Sequence, residues 1–261
     1  MSKQLFLDIL FFVYAVFTLI SQYSEDAVVI LDVGQGDSIF IQKGNFQMLI
    51  DGGEDISVLY EISKYMGYED MNIEVVVLTH PHSDHLGGLF EIFERYEIGE
   101  VWINPIEYDS DMYDFLLEMD LPFKEIDEGE IYEINDWRVE VLFSGDEIYG
   151  KTGNLNNASI VLELTANEKK FLFMGDAEIE VEEYLLEKNL LEDINVLKAG
   201  HHCSKTASSD AFLDIVKPEV AVCSYGAGNS FGHPHDETIQ NFVERNILIL
   251  STEEKGNVWV L

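Results

Sequence analysis

The chain has 261 residues, 47% of them hydrophobic, and 15 Lys and Arg residues stand against 50 Asp and Glu residues, a formal net charge of −35. The 16 Phe, 12 Tyr and 3 Trp residues exclude an acidic disordered chain, because such chains lack the apolar residues that build a core. The length suits one large domain. The acidic excess disfavours a protein that coats DNA through basic patches, but it does not exclude a nuclease, since bound divalent metal inverts the sign of the local field.

Residues 1–24 form a hydrophobic N-terminal segment, with a continuous apolar run at 9–20. The run is shorter than the ~20 apolar residues that a membrane-spanning helix needs, which is typical of a signal-peptide core or a marginal anchor. Because no small-x-small cleavage site follows it, we favour membrane association through residues 5–20. Residues 25–261 are then an extracellular domain, either membrane-anchored or secreted, and a cytoplasmic location is disfavoured. The alternative is an amphipathic or buried N-terminal helix.

Beyond this segment, short apolar runs alternate with stretches of helical periodicity. The predicted strands are at 28–33, 38–42, 46–51, 74–79, 101–104, 137–143, 159–165, 170–175, 194–200 and 219–225, with two closing strands near the C-terminus. The predicted helices are at 56–66, 86–96, 210–216 and 237–245. Hairpins early in the chain and strand–helix alternation later predict an α/β fold of two mixed sheets with helices outside.

The histidines indicate where the chemistry lies. All seven fall in three short windows: His80, His82 and His85; His201 and His202; His233 and His235. Each window follows a strand-like run, so the imidazoles lie in loops at strand ends, where a rigid scaffold can direct them to one point. This clustering disfavours a purely structural role.

The first window has the order H-x-H-x-D-H directly after a predicted buried strand. His80 and His82 alternate along extended backbone, partly because a residue before proline avoids the helical region, and two such imidazoles can bind one ion. Asp84 and His85 fall where the next helix begins and can hold a second ion. Imidazole and carboxylate are the ligands of zinc, and they also accept manganese or iron.

The chain has two cysteines, Cys203 and Cys223. They form no disulfide framework and match no paired metal-ligand spacing. The redox compartment therefore stays open at this point.

The first histidine window resembles the metal-binding signature of the metallo-β-lactamase superfamily. Other segments agree: DVGQGD at 32–37, LIDGG at 49–53, FMGD at 173–176, HHCSKT at 201–206 and GHPH at 232–235. Together they resemble the extracellular hydrolase domain of ComEC-type DNA-uptake proteins and its free-standing relatives, over essentially all of residues 28–261. The resemblance implies a four-layer αββα sandwich with two divalent ions, zinc or manganese.

Carried over to this sequence, the resemblance implies that His80 and His82 ligate one metal and that Asp84 and His85 ligate the other. Asp176 bridges them. Either His201 or His202 completes the second metal's ligands, and the other makes a hydrogen bond that supports a ligand.

Several acidic and amide residues near the histidine windows have less certain roles in this resemblance. Asp51 either orients the histidine loop or only forms a turn, and Asp32 and Asp37 shape a loop without touching metal. Many members of the superfamily have an additional histidine ligand between the first window and the bridging aspartate, whereas this chain has none between 86 and 200. Asn157 lies in the corresponding stretch as a supporting residue, so the first metal is weakly held, open, or capped by an asparagine oxygen.

Cys203 stands where relatives usually have glycine. It is an adventitious ligand, a redox-sensitive thiol, or a small residue that merely fits, and we favour the last.

The resemblance also implies a mechanism, in which two close cations generate hydroxide near neutral pH and hold the attacking and leaving oxygens. The expected catalytic residues are Asp84 and His233. Asp84, or alternatively Asp176, orients the hydroxide. His233 stabilises charge or protonates the leaving oxygen. The expected substrate-binding residues are Lys205, Thr206, Asn229 and His233. His235 binds substrate or caps the following helix, and we favour the cap.

The leading functional hypothesis is a metal-dependent phosphodiesterase or nuclease acting on single-stranded DNA or another nucleic acid. One alternative keeps the enzyme but changes the substrate to a phosphocholine ester, a lactone or a β-lactam; His85 argues against the last, because true β-lactamases generally lack a histidine after the aspartate. Another alternative is a non-catalytic binding protein on the same fold. The retained ligand residues argue against it, because burying them without a metal would cost folding free energy. The sequence indicates no protein partner.

Overall fold

The computed structural model describes residues 5–12, 26–67 and 69–261. The strands are β1 (Ala27–Ile30), β2 (Ile39–Lys43), β3 (Phe46–Ile50), β4 (Asn72–Val77), β5 (Glu97–Ile103), β6 (Phe123–Glu125), β7 (Ile131–Ile134), β8 (Trp137–Phe143), β9 (Val161–Ala166), β10 (Lys169–Phe173), β11 (Val196–Lys198), β12 (Val220–Cys223), β13 (Leu248–Ser251) and β14 (Val258–Trp259). The helices are α1 (5–12), α2 (Ser57–Ile62), α3 (Ser83–Leu86), α4 (Leu89–Arg95), α5 (Asp111–Glu118), α6 (Asp146–Thr152), α7 (Ile179–Glu187), α8 (Asp210–Val216), α9 (Asp236–Glu244) and α10 (Thr252–Lys255). Two 3₁₀ turns, Leu155–Ala158 and Gly200–Cys203, complete the elements.

The strands form two seven-stranded sheets in the described part of the chain. The first has the order β14-β1-β2-β3-β4-β5-β6, and the second has the order β13-β12-β11-β10-β9-β8-β7. In the first sheet β14, β1, β2 and β3 pair antiparallel, and β3 to β6 pair parallel. The second sheet repeats this arrangement, antiparallel from β7 to β10 and parallel from β10 to β13. Both sheets are therefore mixed, as the sequence predicts.

Alternation along the strands builds four layers. Val28 of β1 faces the second sheet, whereas its neighbour Val29 faces the helices on the other side. Phe171 and Leu172 of β10 divide in the same way, one between the sheets and one beneath the outer helices. Because successive side chains in a strand point to opposite faces, each sheet buries both of its faces. The predicted αββα sandwich is confirmed.

Several elements differ from the sequence prediction. The single helix expected at 86–96 is two helices, α3 and α4, separated by Gly87 and Gly88. A Cβ atom on Gly88 would lie 2.0 Å from the carbonyl oxygen of Gly52, and one on Gly87 would lie 2.2 Å from that of Glu54. The chain needs glycine here because the start of the helix packs directly on the backbone after β3. The elements α5, β6, β7, α6, α7 and α10 were not predicted.

Residues 5–12 form α1, and the apolar side chains of Phe11 and Phe12 are exposed. Among the residues described, no helix has the length and apolar character to cross a membrane. Residues 13–20 of the predicted anchor, and the boundary near residue 24, lie outside the described residues.

One edge of the sandwich collects the polar loops. Asp51 follows β3, the first histidine window follows β4, and Asp176 follows β10. The second histidine window follows β11, and the third lies between β12 and α9. Because parallel strands end at a common edge, residues distant in sequence meet there.

Candidate metal centre

Asp51 holds the loop that carries the first histidine window. Its carboxylate accepts hydrogen bonds from the Thr79 backbone N–H at 2.8 Å and from the Thr79 hydroxyl at 2.7 Å. It also lies 2.8 Å from Nδ1 of His85. With Nδ1 held in this way, Nε2 of His85 is directed toward the centre of the loop cluster. The structure thus places Asp51 as a residue that orients a candidate ligand.

Ser159 orients the imidazole of His80 in a similar way. The Ser159 hydroxyl lies 3.2 Å from Nδ1 of His80 and accepts a hydrogen bond from the Asp176 backbone N–H at 3.0 Å. Nε2 of His80 is left facing Nδ1 of His82, at 2.9 Å. The spacing from the sequence brings these two imidazoles together as predicted, and Ser159 is a supporting residue that the sequence did not single out.

Asp176 lies between two groups of imidazoles. Its Oδ1 lies 3.3 Å from Nε2 of His85 and 3.3 Å from Nε2 of His202, whereas its Oδ2 lies 3.8 Å from Nε2 of His80. Oδ1 and both of the nearby Nε2 atoms are buried without a hydrogen-bond partner. Buried polar atoms that converge without hydrogen bonds are expected where a cation completes the site, so this donor set fits a divalent metal.

The second histidine window separates the two neighbouring imidazoles. His201 and His202 both have left-handed backbone, with φ of 46° and 54°, so their side chains leave the chain in different directions. Nδ1 of His202 lies 2.9 Å from the Ser224 carbonyl oxygen, and its Nε2 lies 3.4 Å from Oδ2 of Asp84. His201 turns aside, and its Nδ1 lies 2.8 Å from Oε1 of Glu178. The geometry therefore groups His202 with Asp84 and Asp176, and leaves His201 at the cavity wall.

Asp37 and Lys198 form a buried ion pair that sequence analysis missed. Nζ of Lys198 lies 2.5 Å from Oδ2 of Asp37, and Oδ1 of Asp37 lies 3.2 Å from Nδ1 of His202. Both side chains are almost completely buried. We expected Asp37 only to shape a loop, whereas it contacts a candidate ligand. A usable signal was Lys198 itself, since a lysine that ends a buried strand needs an acidic partner.

Charge is concentrated in this buried space before any metal binds. Burial lowers the pKa of His85, but the carboxylates of Asp176 and Asp51 outweigh it and hold that pKa well above its ordinary value. Burial also lowers the pKa of His202, but the carboxylates of Asp176 and Asp37 outweigh burial and hold that pKa well above its ordinary value. For Asp176, burial raises the pKa, but His202 and His85 outweigh it and hold the pKa well below its ordinary value. The two imidazoles and the Asp176 carboxylate therefore each favour the charged form of the other.

The remaining predicted substrate-binding residues divide. Asn229 holds the third window, because its side chain donates to the His233 carbonyl oxygen at 2.7 Å and accepts from the His233 N–H at 3.0 Å. The Thr206 hydroxyl donates to Glu178 at 3.0 Å. Lys205 is exposed and is not among the described residues that line the cavity.

His233 and His235 occupy different positions in the third window. His233 lines the cavity, and burial together with the nearby His202 lowers its pKa to about 4. His235 stands at the N-cap position of α9 without a side-chain capping bond. Its Nδ1 instead accepts from the Lys205 backbone N–H at 3.1 Å, so the favoured helix cap is not formed by this side chain.

The asparagine stretch also divides by role. Asn157 is fully buried and supports the backbone, since its Oδ1 accepts a hydrogen bond from the Glu178 N–H at 3.0 Å. Asn156 lines the cavity instead, and its Oδ1 is buried without a hydrogen-bond partner. Asn156 is therefore the asparagine that is open to the site.

The prediction that the cysteines form no disulfide is wrong. Cys203 and Cys223 are bonded, with a Cα–Cα distance of 5.5 Å across a sequence separation of 20. The reason is topological: Cys203 follows β11 and Cys223 ends β12, and these strands are neighbours in the second sheet. Neither a free thiol nor an adventitious thiol ligand is therefore present at Cys203. The bond flanks the contact between His202 and the Ser224 carbonyl oxygen.

A cavity of about 230 Å³ opens over the cluster. Its described lining residues are Gln35, His82, Ser83, Asp84, Asn156, Asp176, His201, His202, Phe231 and His233. Phe231, another residue that sequence analysis missed, is 60% exposed. The arrangement offers converging oxygen and nitrogen ligands at the floor of an open pocket, which is the chemistry of a metal-dependent hydrolase.

Comparison with known proteins assigns this fold and site to a family. The metallo-β-lactamase superfamily profile matches residues 31–227, and the chain belongs to that superfamily. The protein YhfI from Bacillus subtilis, which has the metallo-β-lactamase fold, superimposes with a TM-score of 0.56 at 12% identity, over 87% of this chain and 96% of that one. CmlA, a diiron β-hydroxylase from Streptomyces venezuelae, superimposes with a TM-score of 0.58 at 15% identity, over 90% of this chain and 54% of that one.

Within the superfamily the chain is similar to three bacterial proteins that are longer than it is. It is 27% identical to ComE operon protein 3 of Bacillus subtilis over 90% of its own length and 33% of that protein. It is 29% identical to competence protein ComA of Neisseria gonorrhoeae, over 89% and 32%. Recombination protein 2 of Haemophilus influenzae is 28% identical, over 88% and 28%. The chain thus spans about a third of the length of these relatives, and the predicted resemblance is confirmed.

Removal of the disulfide tests whether it supports the site. A Cys203→Ala, Cys223→Ala double variant should lose ~3 kcal/mol of unfolding free energy, from the loop that the bond closes. It should also bind zinc more weakly, because the loop of His202 loses its covalent tie to the end of β12. Denaturant unfolding and a competitive zinc titration measure the two effects. Unchanged zinc affinity would show that the bond serves stability alone.

Zinc binding should release protons and depend on pH. His85 and His202 have raised pKa values, so a metal that binds these imidazoles must displace protons. The stabilisation from these protonated imidazoles is complete below their unfolded pKa of ~6.5 and is lost as pH rises through their folded pKa values. The rise in melting temperature on adding zinc should therefore grow as the pH rises from about 6.5 toward the folded pKa values of the two imidazoles. Calorimetry in buffers of different ionisation enthalpy counts the protons; a count of zero would contradict the assignment.

Proposed function

We propose that this chain is a metal-dependent phosphodiesterase that cleaves nucleic acid, with single-stranded DNA as its substrate. The observation that carries the proposal is the convergence of His85, His202 and His80 on the two oxygens of Asp176. Two donor sets on either side of one carboxylate suit a pair of cations, the arrangement found in phosphodiester hydrolysis. The similarity to competence proteins supports DNA as the polymer.

The ligand assignment in this proposal follows the contacts. His80 and His82 would hold one ion, Asp84, His85 and His202 would hold the other, and Asp176, between the two groups, would contribute to both. His201 supports the site from the side through Glu178. Zinc and manganese both suit this mixed nitrogen and oxygen set.

Bound divalent ions supply the Lewis acidity that activates water and neutralises the phosphoryl charge. The protein's own residues orient the groups that bind in the cavity. The carboxylate of Asp84 accepts a hydrogen bond from Gln35 Nε2 at 3.5 Å. It can accept a second hydrogen bond from a group in the cavity and so orient that group. His233, with its pKa of about 4, is neutral at physiological pH. It therefore acts as a hydrogen-bond donor to a phosphoryl or leaving oxygen rather than as a standing imidazolium acid.

We also propose that the domain works outside the cytoplasm. The bond between Cys203 and Cys223 supports this location, because structural disulfides persist in oxidising compartments. Residues 5–20 then provide membrane association, and the described helix α1 presents exposed apolar side chains that suit such a role.

The activity test compares matched carboxylate variants. Asp84→Asn and Asp176→Asn should each lower the cleavage rate of labelled single-stranded DNA by about 100-fold or more, since each removes a charged ligand. The exposed Asp120 gives the control Asp120→Asn, which should cleave as the parent protein does. Rates are measured on the whole 261-residue chain loaded separately with zinc and manganese.

Two outcomes would contradict the proposal. If the loaded protein hydrolyses bis(p-nitrophenyl) phosphate, a phosphocholine ester or a lactone but leaves DNA intact, the substrate is small. If it binds two metals and hydrolyses none of these substrates, the chain is a binding protein on this fold.

A further inference from the structure

Phe231 is an exposed aromatic residue at the mouth of the candidate active site. Its side chain is 60% exposed. Its ring stacks on the His233 imidazole, with 5.7 Å between centroids and 19° between planes. One face of the ring thus packs on a cavity residue, whereas the side chain as a whole remains largely exposed and accessible to a planar group.

The loop that carries Phe231 is held in place by hydrogen bonds. Asn229 bonds both the N–H and the carbonyl oxygen of His233, and its own N–H donates to the Gly226 carbonyl oxygen at 3.2 Å. At Gly226 a Cβ atom would lie 2.7 Å from the Gln35 nitrogen, so this end of the loop packs directly on the loop after β1. Phe231 is therefore presented by a braced loop.

Two cavities meet at this ring. The first is the cavity over the metal centre, and a second of about 340 Å³ adjoins it. The described residues lining the second are Gln35, Glu54, Ser83, Asp84, Asn229, Ser230 and Phe231. A strand whose phosphate lies at the metal centre can therefore place an adjacent group in the second cavity, against Phe231.

Charge limits what can hold such a strand. None of the described residues that line the two cavities is a lysine or an arginine, and Glu54 and Asp84 add negative charge. The whole chain carries a formal charge of −35. Apart from the metals, ionic contacts therefore cannot supply affinity for a polyanion here, and uncharged contacts with the bases must do so.

We propose that Phe231, backed by His233, is a stacking platform for a nucleobase next to the phosphate that is cleaved. The inference rests on the proposed function and assigns a residue to its preference for unpaired bases, since a base within a duplex has both faces covered. Stacking on an aromatic ring is tolerant of sequence, so the platform selects single strands without selecting a base.

The test measures binding separately from cleavage. The probes are a fluorescent oligothymidylate with uncleaved phosphorothioate linkages and a strand of the same length with abasic sites in place of thymidine. The zinc-loaded 261-residue chain and its Phe231→Ala and Phe231→Tyr variants are compared by fluorescence anisotropy. Tyr60→Ala is the matched control, because Tyr60 is similarly exposed, at 64%, on α2.

Phe231→Ala should weaken binding of the thymidylate strand about tenfold, whereas Phe231→Tyr and Tyr60→Ala should bind as the parent protein does. The abasic strand should bind the parent and Phe231→Ala equally weakly. Equal binding of both strands by the parent, or no loss in Phe231→Ala, would overturn the inference. A change in oligomeric state of Phe231→Ala by sedimentation, with unchanged DNA binding, would also overturn it and assign the ring to a protein contact.

Cleavage of the matching phosphodiester strand is measured in parallel. If the parent protein binds through Phe231 but cleaves no diester, the platform stands and the proposed phosphodiesterase activity fails. If it cleaves the thymidylate and abasic strands with the same efficiency, the activity stands and the platform fails.

Discussion

The burial of several carboxylates at one point is the constraint on which the structure depends. Asp37, Asp51 and Asp176 are nearly inaccessible to solvent, and Asp84 adds a fourth carboxylate at the cavity floor. Unpaired, such charges would cost far more than a protein's net stability. Lys198 forms an ion pair with Asp37, and Asp51 and Asp176 lie beside the imidazoles of His85 and His202, whose pKa values these carboxylates help to raise. The acidic centre thus depends on cationic and protonatable groups held beside it.

The scaffold makes this concentration of charge possible. Three apolar layers, two beneath the outer helices and one between the sheets, fix the strand ends from which the loops depart. Each candidate ligand is then oriented by a neighbour, as Asp51 orients His85 and Ser159 orients His80. The disulfide ties the His202 loop to the next strand end. Precision at the site comes from these supports.

The sequence predicted the fold where patterns were strong and failed where contacts are long-range. Strand β8 and helix α8 were predicted with their observed bounds, because each has an uninterrupted apolar pattern. The histidine windows predicted most of the cluster, since ligand spacing is local. The choice between His201 and His202 depends on left-handed backbone at both residues. The disulfide and the pairing of Asp37 with Lys198 depend on strand order. Neither kind of information is present in local sequence.

The most direct test of the account is the position of metal in a crystal of the zinc-loaded protein. Anomalous diffraction at the zinc edge should show two peaks, one near His80 and His82 and one near Asp84, His85 and His202, with the Asp176 carboxylate between them. That result would establish the pair of cations that the unpaired buried atoms call for. A single peak away from Asp176, or none, would contradict the central claim that this carboxylate bridges two metals.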